Sequence, residues 1–229
     1  MIVKFENVTK QYPDGSHALE GIEFEIPPSD FVFLVGPSGA GKTTLLRLLT
    51  RELTPTGGKI KVDSIDITTL PKSKLPQLRR QIGTVFQDFK LLLDRTVAEN
   101  VGITLEVLGK KDKDIEHLVN SVLKEVGILE KANFFPAQLS GGEVQRTAIA
   151  RAIVSNPKIL LADEPTGDLD PENAQAIVEL LEKINKDLGT IIVMATHNEK
   201  IVDKAKKRVI HLDKGKVIRD EKEGKYAKD

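Results

Sequence analysis

Apolar positions in this chain follow a strand-like spacing in several separate segments. Residues 2–8 and 19–26 predict two strands near the start, with a turn at 13–15 between them. A further strand pair is predicted after Gly57 and Gly58. Other segments are short continuous apolar runs, which are typical of strands buried on both faces of a sheet. These runs are residues 31–35, 82–86, 158–162, 190–195 and 208–212.

Between the strands the apolar spacing becomes helical. A stripe of leucines follows the glycine-rich turn after the 31–35 run and predicts a helix over residues 43–53. Apolar residues from Ile115 to Val126 recur at intervals that lie on one face of a helix. Asp170 followed by Pro171 predicts the cap and first turn of another helix. We therefore predict that residues 88–157 are mostly helical.

The order of these elements indicates the fold class. Strands alternating with helices predict an α/β fold with a mostly parallel sheet at its core. The early strands predict an antiparallel β subdomain at one edge, and residues 88–157 predict a helical subdomain inserted into the chain. All of this fits one domain over residues 1–229, with a charged tail at 220–229 that we expect to be frayed.

Composition narrows the possible functions. The 34 Lys and Arg residues balance 34 Asp and Glu residues, so nothing attracts the whole chain to nucleic acid, and we expect no nucleic-acid partner. The absence of cysteine excludes disulfides, thiol catalysis and cysteine metal sites. No apolar run approaches the roughly 20 residues that span a bilayer. We expect a cytoplasmic protein that reaches the membrane only through a partner.

The strongest motif is a P-loop between a predicted buried strand and a helix. Glycines in such a turn let backbone N–H groups converge on phosphate oxygens, and the helix N-terminus adds a favourable dipole. Lys42 is expected to reach the β- and γ-phosphates, and Thr43 to offer a hydroxyl to Mg²⁺. The alternative is a glycine-rich turn without a ligand. The predicted ATP-binding residues of this motif are Gly36, Pro37, Ser38, Gly39, Ala40, Gly41, Lys42, Thr43 and Thr44.

Two carboxylates follow the apolar run at 159–162. Ligands of open α/β sheets bind at the carboxyl ends of the strands, where these residues are expected. Asp163 is the candidate Mg²⁺ partner, and Glu164 is the candidate base that orients or deprotonates the attacking water. The alternative is that the acidic pair caps a helix; the P-loop in the same chain favours the catalytic interpretation.

A second possible anion site lies at residues 139–146, Leu-Ser-Gly-Gly-Glu-Val-Gln-Arg, before an apolar helix. Ser140 and Glu143 have the spacing of a capping box, which accounts for those two residues alone. It does not account for Gly141 and Gly142, because a glycine pair weakens a helix start unless something must approach closely.

With these motifs the chain resembles the ABC ATPase family over residues 1–219, and residues 139–143 match the family's signature motif. The resemblance implies a P-loop NTPase fold of the ABC type and Mg²⁺-dependent ATP hydrolysis. It also implies roles for four single residues. They are Tyr12 stacking on adenine, Gln87 sensing Mg²⁺ and the γ-phosphate, Asp170 in a loop that crosses between subunits, and His197 contacting the γ-phosphate.

Each of those four residues has a simpler interpretation when it is taken alone. Tyr12 fits a surface aromatic, and His197 fits a histidine with ordinary hydrogen bonds at a strand end. Gln87 alone indicates nothing. Their order along the chain, together with both phosphate-binding motifs, favours the family assignment.

The resemblance further implies an ATP-dependent homodimer. In such proteins two chains pack head to tail, and each ATP lies between Lys42 of one copy and Ser140, Gly141 and Gly142 of the other, with Glu143 in the same motif. Hydrolysis would then loosen the dimer by removing the bridging γ-phosphate.

Residues 160–170 and 79–101 resemble the branch of the family that contains ATPases of cell division, lipoprotein release and macrolide export. The second segment looks most like the cell-division ATPases, which work with an integral membrane partner on the inner face of the cell membrane. Lipoprotein-release or export ATPases remain the first alternative. A soluble ABC ATPase without a transport role and a nucleotide-binding regulator without turnover are further alternatives.

An apolar cluster follows Gln87, at Phe89, Leu91, Leu92 and Leu93. If it is exposed, it is expected to receive a cytoplasmic helix of the membrane partner. The alternative is that the cluster belongs to the core of the helical insertion.

Overall fold

The computed structural model of the protein describes residues 1–226. Within them the strands are β1 (Val3–Gln11), β2 (His17–Ile26), β3 (Phe31–Val35), β4 (Gly57–Val62), β5 (Ile65–Asp66), β6 (Ile82–Val85), β7 (Ile159–Asp163), β8 (Ile191–Ala195), β9 (Arg208–Asp213) and β10 (Lys216–Glu221). The α-helices are α1 (Lys42–Leu49), α2 (Leu75–Arg79), α3 (Val97–Val107), α4 (Asp112–Glu125), α5 (Gly141–Ile153), α6 (Pro171–Leu188) and α7 (Glu199–Ala205).

Six of the described strands form the central sheet, in the order β10-β9-β3-β8-β7-β6. Every neighbouring pair in it is parallel except β10 and β9. The carboxyl ends of β3, β8, β7 and β6 therefore lie along one edge, where such sheets bind ligands. The prediction of a mostly parallel α/β core is confirmed.

The early strands form a second, antiparallel sheet in the order β2-β1-β4-β5. The helices α3, α4 and α5 follow one another between β6 and β7, where the sequence predicts a helical insertion. None of the helices in the described chain is long and apolar enough to cross a membrane.

Side chains of the central sheet divide between two cores, one on each face. In β3, Phe31, Phe33 and Val35 pack into the core that includes α3–α6. Val32 and Leu34 pack on the other side, with α1 and the antiparallel sheet. Alternation along a strand sends successive side chains to opposite faces, so a strand buried on both faces is apolar throughout.

The end of the chain differs from the predicted frayed tail. Asp220 and Glu221 belong to β10 and pair with Ile210 and Val209 of β9. The two strands are joined at residues 214–215, where both residues have positive φ, the geometry of a tight hairpin turn. Residues 227–229 of the predicted tail lie outside the described residues.

Candidate functional site

The predicted P-loop connects β3 to α1 and lines a pocket of about 810 Å³. Gly36, Gly39 and Gly41 have φ angles of 138°, 78° and 107°, a conformation that side chains disfavour. A Cβ atom at Gly41 would come within 2.6 Å of the Ala18 carbonyl oxygen, whereas one at Gly39 would meet no atom within 4 Å. The loop therefore presents its backbone to the pocket at Gly39 and packs tightly beneath it at Gly41.

The N-terminus of α1 has no partner within its own first turn. Gly41 provides no side-chain cap, and the first turn contains no acidic residue. By contrast, α3, α5 and α6 each begin with a side chain that accepts a backbone hydrogen bond. Because the free N–H groups of a helix start attract anions, α1 has the form of a phosphate site.

Lys42 supplies a cation in the same loop. Its Nζ donates to the carbonyl oxygens of Gly36 at 2.7 Å and Pro37 at 3.1 Å, and its side chain is largely buried. The loop thus holds an ammonium group beside free backbone donors, an arrangement suited to several phosphates.

Asp163 and Glu164 lie at the carboxyl end of β7, on the other wall of the pocket. The Thr43 hydroxyl donates to Asp163 Oδ1 at 3.3 Å, which brings two of the three predicted Mg²⁺ residues together. Burial raises the pKa of Asp163, and the Thr43 hydrogen bond opposes that rise. Ionising the Asp163 carboxylate therefore costs free energy, which a nearby cation would offset.

Glu164 has an uncommon backbone conformation, with φ of 49°, although it is not glycine. Its N–H donates to the Ala195 carbonyl oxygen at 2.9 Å, which ties it to the end of β8. The Glu164 carboxylate accepts from the His197 backbone N–H at 3.3 Å and lies 2.9 Å from His197 Nδ1. Glu164 and His197 therefore form one hydrogen-bonded unit, with the carboxylate mostly buried and the imidazole exposed.

Replacing Asp163 by Asn is expected to stabilise the nucleotide-free protein. Burial raises the pKa of Asp163 in the folded protein above its unfolded value of about 3.9. At a pH above that value, the charged carboxylate therefore lowers the free energy of unfolding. Asparagine retains an acceptor for Thr43 without the charge. We expect the melting temperature at pH 7 to rise by about 2 °C, measured by calorimetry without nucleotide, and the gain to vanish below pH ~4. A lower melting temperature at pH 7 would show that the charge supports the fold.

Tyr12 and Gln87 line the same pocket from two other elements. The Tyr12 hydroxyl is 3.2 Å from Thr44 Oγ1 of α1. Gln87 follows β6 and is exposed. The pocket thus brings together every predicted P-loop residue with Tyr12, Gln87, Asp163, Glu164 and His197.

Four pocket residues are absent from the sequence prediction: Ser16, His17, Ala18 and Tyr226. The first three lie in the turn and strand after Tyr12. Their position in the sequence, close to the predicted adenine contact, could have indicated that they line the pocket. Tyr226 lies in the charged terminal segment, which carries no motif. Only the tertiary structure brings it to the pocket.

The signature residues do not line this pocket. Ser140 caps α5, and its capping box with Glu143 is confirmed: Ser140 N–H donates to Glu143 Oε2 at 2.8 Å, and Glu143 N–H donates to Ser140 Oγ at 3.4 Å. A Cβ atom at Gly142 would lie 3.1 Å from Asn173 Oδ1 of α6. The fold itself therefore favours glycine at 142, which the sequence interpretation attributed to an approaching ligand.

Asp170 caps α6, as predicted. Its carboxylate accepts from the backbone N–H of Asn173 at 3.0 Å and of Glu172 at 3.1 Å, and from Asn173 Nδ2 at 2.6 Å. These hydrogen bonds, led by that of the Asn173 backbone, lower the pKa of Asp170. Asp170 is exposed and does not line the nucleotide-sized pocket.

The donor set fits a metal ion that arrives with a nucleotide. Residues 1–226 contain no group of three or more His, Cys, Asp or Glu side chains placed to hold a metal by themselves. Mg²⁺ in phosphate-transfer sites takes one or two protein ligands and completes its shell with phosphate oxygens and water. Thr43, Asp163 and Gln87 offer oxygen ligands of that kind in the one pocket.

The chain is similar to known proteins over most of its length. Residues 19–167 match the family model described as ABC transporter. The chain is 49% identical over 226 residues to the cell division ATP-binding protein FtsE of Bacillus subtilis, covering 99% of each chain. It is 49% identical over 230 residues to the protein of the same name from Mycobacterium tuberculosis, covering 100% of each.

A solved structure shares the fold. The ATP-binding cassette MJ0796, as a dimer in a post-hydrolysis state bound to ADP and Pi, superimposes with a TM-score of 0.88 at 37% identity. The alignment covers 97% of this chain and 99% of that one.

Proposed function

This chain belongs to the ABC transporter family of ATPases, and we propose that it couples ATP-driven closure of a homodimer to an FtsX-like integral membrane protein in cell division. The dimer is supported by the separation of the P-loop pocket from the signature residues at the start of α5, which lie outside that pocket and were predicted as a second anion site. The cell-division role is supported by 49% identity to FtsE proteins over the whole chain.

In the proposed site, the P-loop backbone and Lys42 bind the β- and γ-phosphates of ATP. Tyr12 stacks on adenine, at the wall formed by the antiparallel sheet. Glu164 orients or deprotonates the attacking water, and His197 holds the Glu164 carboxylate and contacts the γ-phosphate. These roles are supported by the 2.9 Å contact between His197 Nδ1 and Glu164 Oε2.

The proposed Mg²⁺ ligands are Thr43, Asp163 and Gln87. Mg²⁺ would neutralise negative charge on the β- and γ-phosphates. A cation at this position also offsets the burial that raises the pKa of Asp163. Asp163 is therefore proposed to be ionised whenever ATP and Mg²⁺ are bound.

The second half of the ATP site is proposed to come from another copy. Ser140, Gly141 and Gly142 at the start of α5 would bind the γ-phosphate held by Lys42 of the facing chain. Glu143 belongs to the same motif, where its capping box with Ser140 fixes the helix start. Asp170 is proposed to lie in the loop that crosses between the subunits. Hydrolysis removes the bridging γ-phosphate and returns the pair to its open state.

The predicted docking cluster divides into a partly buried half and an exposed half. Phe89 and Leu91 pack against the core beside α3–α6. Leu92 and Leu93 have relative exposures of 38% and 74%. The buried Asn100 fixes the backbone of Leu92, because its Oδ1 accepts from Leu92 N–H at 2.7 Å and its Nδ2 donates to the Leu92 carbonyl at 2.9 Å. The exposed pair is therefore available to a partner on a rigid support.

A mostly apolar groove of about 670 Å³ includes other residues of the same segment, although Leu92 and Leu93 do not line it. It is lined by Phe86 and Lys90 on either side of Gln87, and by residues of α3 that include the exposed Val107. We propose that a cytoplasmic helix of the membrane partner occupies this groove. Such a helix would lie next to Gln87. A change at Gln87 when ATP binds or is hydrolysed would then be transmitted to the membrane partner.

Replacing Leu92 by Glu is expected to reduce binding of the membrane partner at least about tenfold, because a carboxylate must be desolvated in an apolar contact. ATP affinity and melting temperature should stay within error of wild type. Leu129→Glu is the matched control, since Leu129 is 39% exposed on another surface. Binding would be measured with partner reconstituted in nanodiscs. Equal losses for both variants would contradict the docking surface, and unfolding of Leu92→Glu would assign Leu92 to the core.

The cell-division role can be tested by affinity capture from detergent-solubilised membranes of the source organism. The bait is the Glu164→Gln variant loaded with ATP and Mg²⁺, and captured proteins are identified by mass spectrometry. An FtsX-like protein lost from the Leu92→Glu bait is the expected result. Specific capture of a lipoprotein-release or macrolide-export permease would replace the division role with an export role and leave the ATPase assignment intact.

A further inference from the structure

Residues 222–226, which follow β10, fold back onto the nucleotide pocket. We call them the C-terminal strap. Its last residue, Tyr226, packs against the core and lines the same pocket as Gly36, Glu164 and His197. The sequence pattern assigns no role to this residue.

The strap is anchored along its length. Gly224 N–H donates to the Lys207 carbonyl at 3.1 Å, and a Cβ atom at Gly224 would lie 2.7 Å from Val209 Cβ, so the backbone lies directly on β9. Tyr226 N–H donates to Asp203 Oδ1 at 2.7 Å. The strap therefore contacts β9 through Gly224 and α7 through Tyr226. A third contact comes from β10.

That third contact comes from Arg219. Its Nη2 donates to the carbonyl oxygens of Lys225 and, at 2.7 Å, of Tyr226. The Tyr226 ring also packs beside His211 of β9, with ring centroids 6.2 Å apart. A tyrosine held by both its backbone and its ring has little freedom to leave the pocket.

Tyr226 lines the pocket together with Glu164, His197 and the P-loop residue Gly36. The Gly36 carbonyl also accepts from Lys42 Nζ at 2.7 Å, and this ammonium group is expected at the β- and γ-phosphates. The tyrosine therefore belongs to the phosphate end of the pocket. Tyr12, the proposed adenine contact, instead bonds to Thr44 of α1.

We propose that the Tyr226 hydroxyl binds the γ-phosphate of ATP, so that the strap distinguishes ATP from ADP. This inference rests on the placement of ATP proposed above. Burial, and then the charges of Glu199 and Glu164, raise the pKa of Tyr226 above its usual value, so the hydroxyl keeps its proton at neutral pH and can donate. A neutral hydroxyl donor suits a phosphate oxygen in a pocket that already contains Asp163 and Glu164, since it adds no further negative charge.

The test is the affinity of Tyr226→Phe for ATP and for ADP, each measured by displacement of a fluorescent ADP in the presence of Mg²⁺. Phenylalanine keeps the ring packing and removes only the hydroxyl. We expect ATP affinity to fall about tenfold, the value of one hydrogen bond to a charged group, and ADP affinity to change less than about twofold. Arg219→Ala, which releases the strap, should give the same selective loss while remaining folded.

Two controls separate this inference from the placement of ATP. Tyr12→Ala should weaken ATP and ADP equally, because both carry adenine. Lys42→Ala should weaken ATP strongly, and unchanged ATP binding by that variant would overturn the placement of ATP itself. If Lys42→Ala behaves as expected, wild-type ATP affinity in Tyr226→Phe, or an equal loss of ATP and ADP affinity, would overturn the role of Tyr226 alone.

Discussion

Replacing Glu164 by Gln is expected to lower the rate of ATP hydrolysis at least about 100-fold, the usual contribution of a positioned general base. Glutamine has nearly the same shape, and its amide oxygen can still accept the His197 backbone N–H. ATP binding should therefore persist, because the P-loop is unchanged. The measurement is steady-state phosphate release with Mg²⁺ at saturating ATP.

The matched control for this variant is Glu172→Gln, in the exposed first turn of α6. It removes one carboxylate of the same kind outside the pocket and should hydrolyse ATP at the wild-type rate. Hydrolysis by Glu164→Gln within about threefold of wild type would exclude Glu164 as the base. His197, whose Nδ1 lies 2.9 Å from the Glu164 carboxylate, would then be the next candidate base.

Replacing Lys42 by Ala is expected to weaken ATP binding about 100-fold, since the ammonium group is proposed to contact two phosphates through charge-assisted hydrogen bonds. The change also frees the carbonyls of Gly36 and Pro37, which accept from Nζ in the present structure. Calorimetric titration with ATP and Mg²⁺ would measure the loss.

Lys124→Ala is a suitable control for Lys42→Ala. Lys124 is exposed in the last turn of α4 and does not line the nucleotide pocket. We expect its ATP affinity to equal that of wild type. If Lys42→Ala kept the wild-type ATP affinity and melting temperature, the ATP phosphates would not bind at the P-loop.

Much of the fold could be predicted because its signals are local. Residues 31–35 are apolar without interruption, and that pattern requires a strand covered on both faces. Ser140 and Glu143 have the spacing of a capping box, and α5 begins where that spacing predicts. Gly39 and Gly41 indicate a turn with positive φ, which the loop before α1 has.

Other features depend on contacts between distant parts of the chain. Phe89 and Lys90 both have positive φ, and their carbonyl oxygens accept from Arg151 Nη2 at 2.6 Å and Nη1 at 2.7 Å. The sequence around residue 89 does not indicate that Arg151 of α5 binds these carbonyls. For the same reason the cluster after Gln87 could not be divided into its core half and its exposed half.

The C-terminal strap is the clearest case. Residues 216–226 are rich in charge, and charged terminal segments are usually frayed. Here Arg219 instead turns inward to bind backbone carbonyls of the strap, and Gly224 allows close packing on β9. Only long-range packing distinguishes such a segment from a solvated tail, so the pocket contact of Tyr226 could not be predicted.

In the proposed dimer, ATP is shared between the P-loop of one copy and the α5 start of another. Light scattering of Glu164→Gln with ATP and Mg²⁺ tests it most directly. We predict a change from the monomer mass of 25.3 kDa to twice that mass with ATP, and a monomer with ADP. Adding Ser140→Arg, which blocks the α5 start, should keep the ATP-bound protein monomeric. A Glu164→Gln protein that stays monomeric at saturating ATP, or a Ser140→Arg double variant that still dimerises, would contradict the claim.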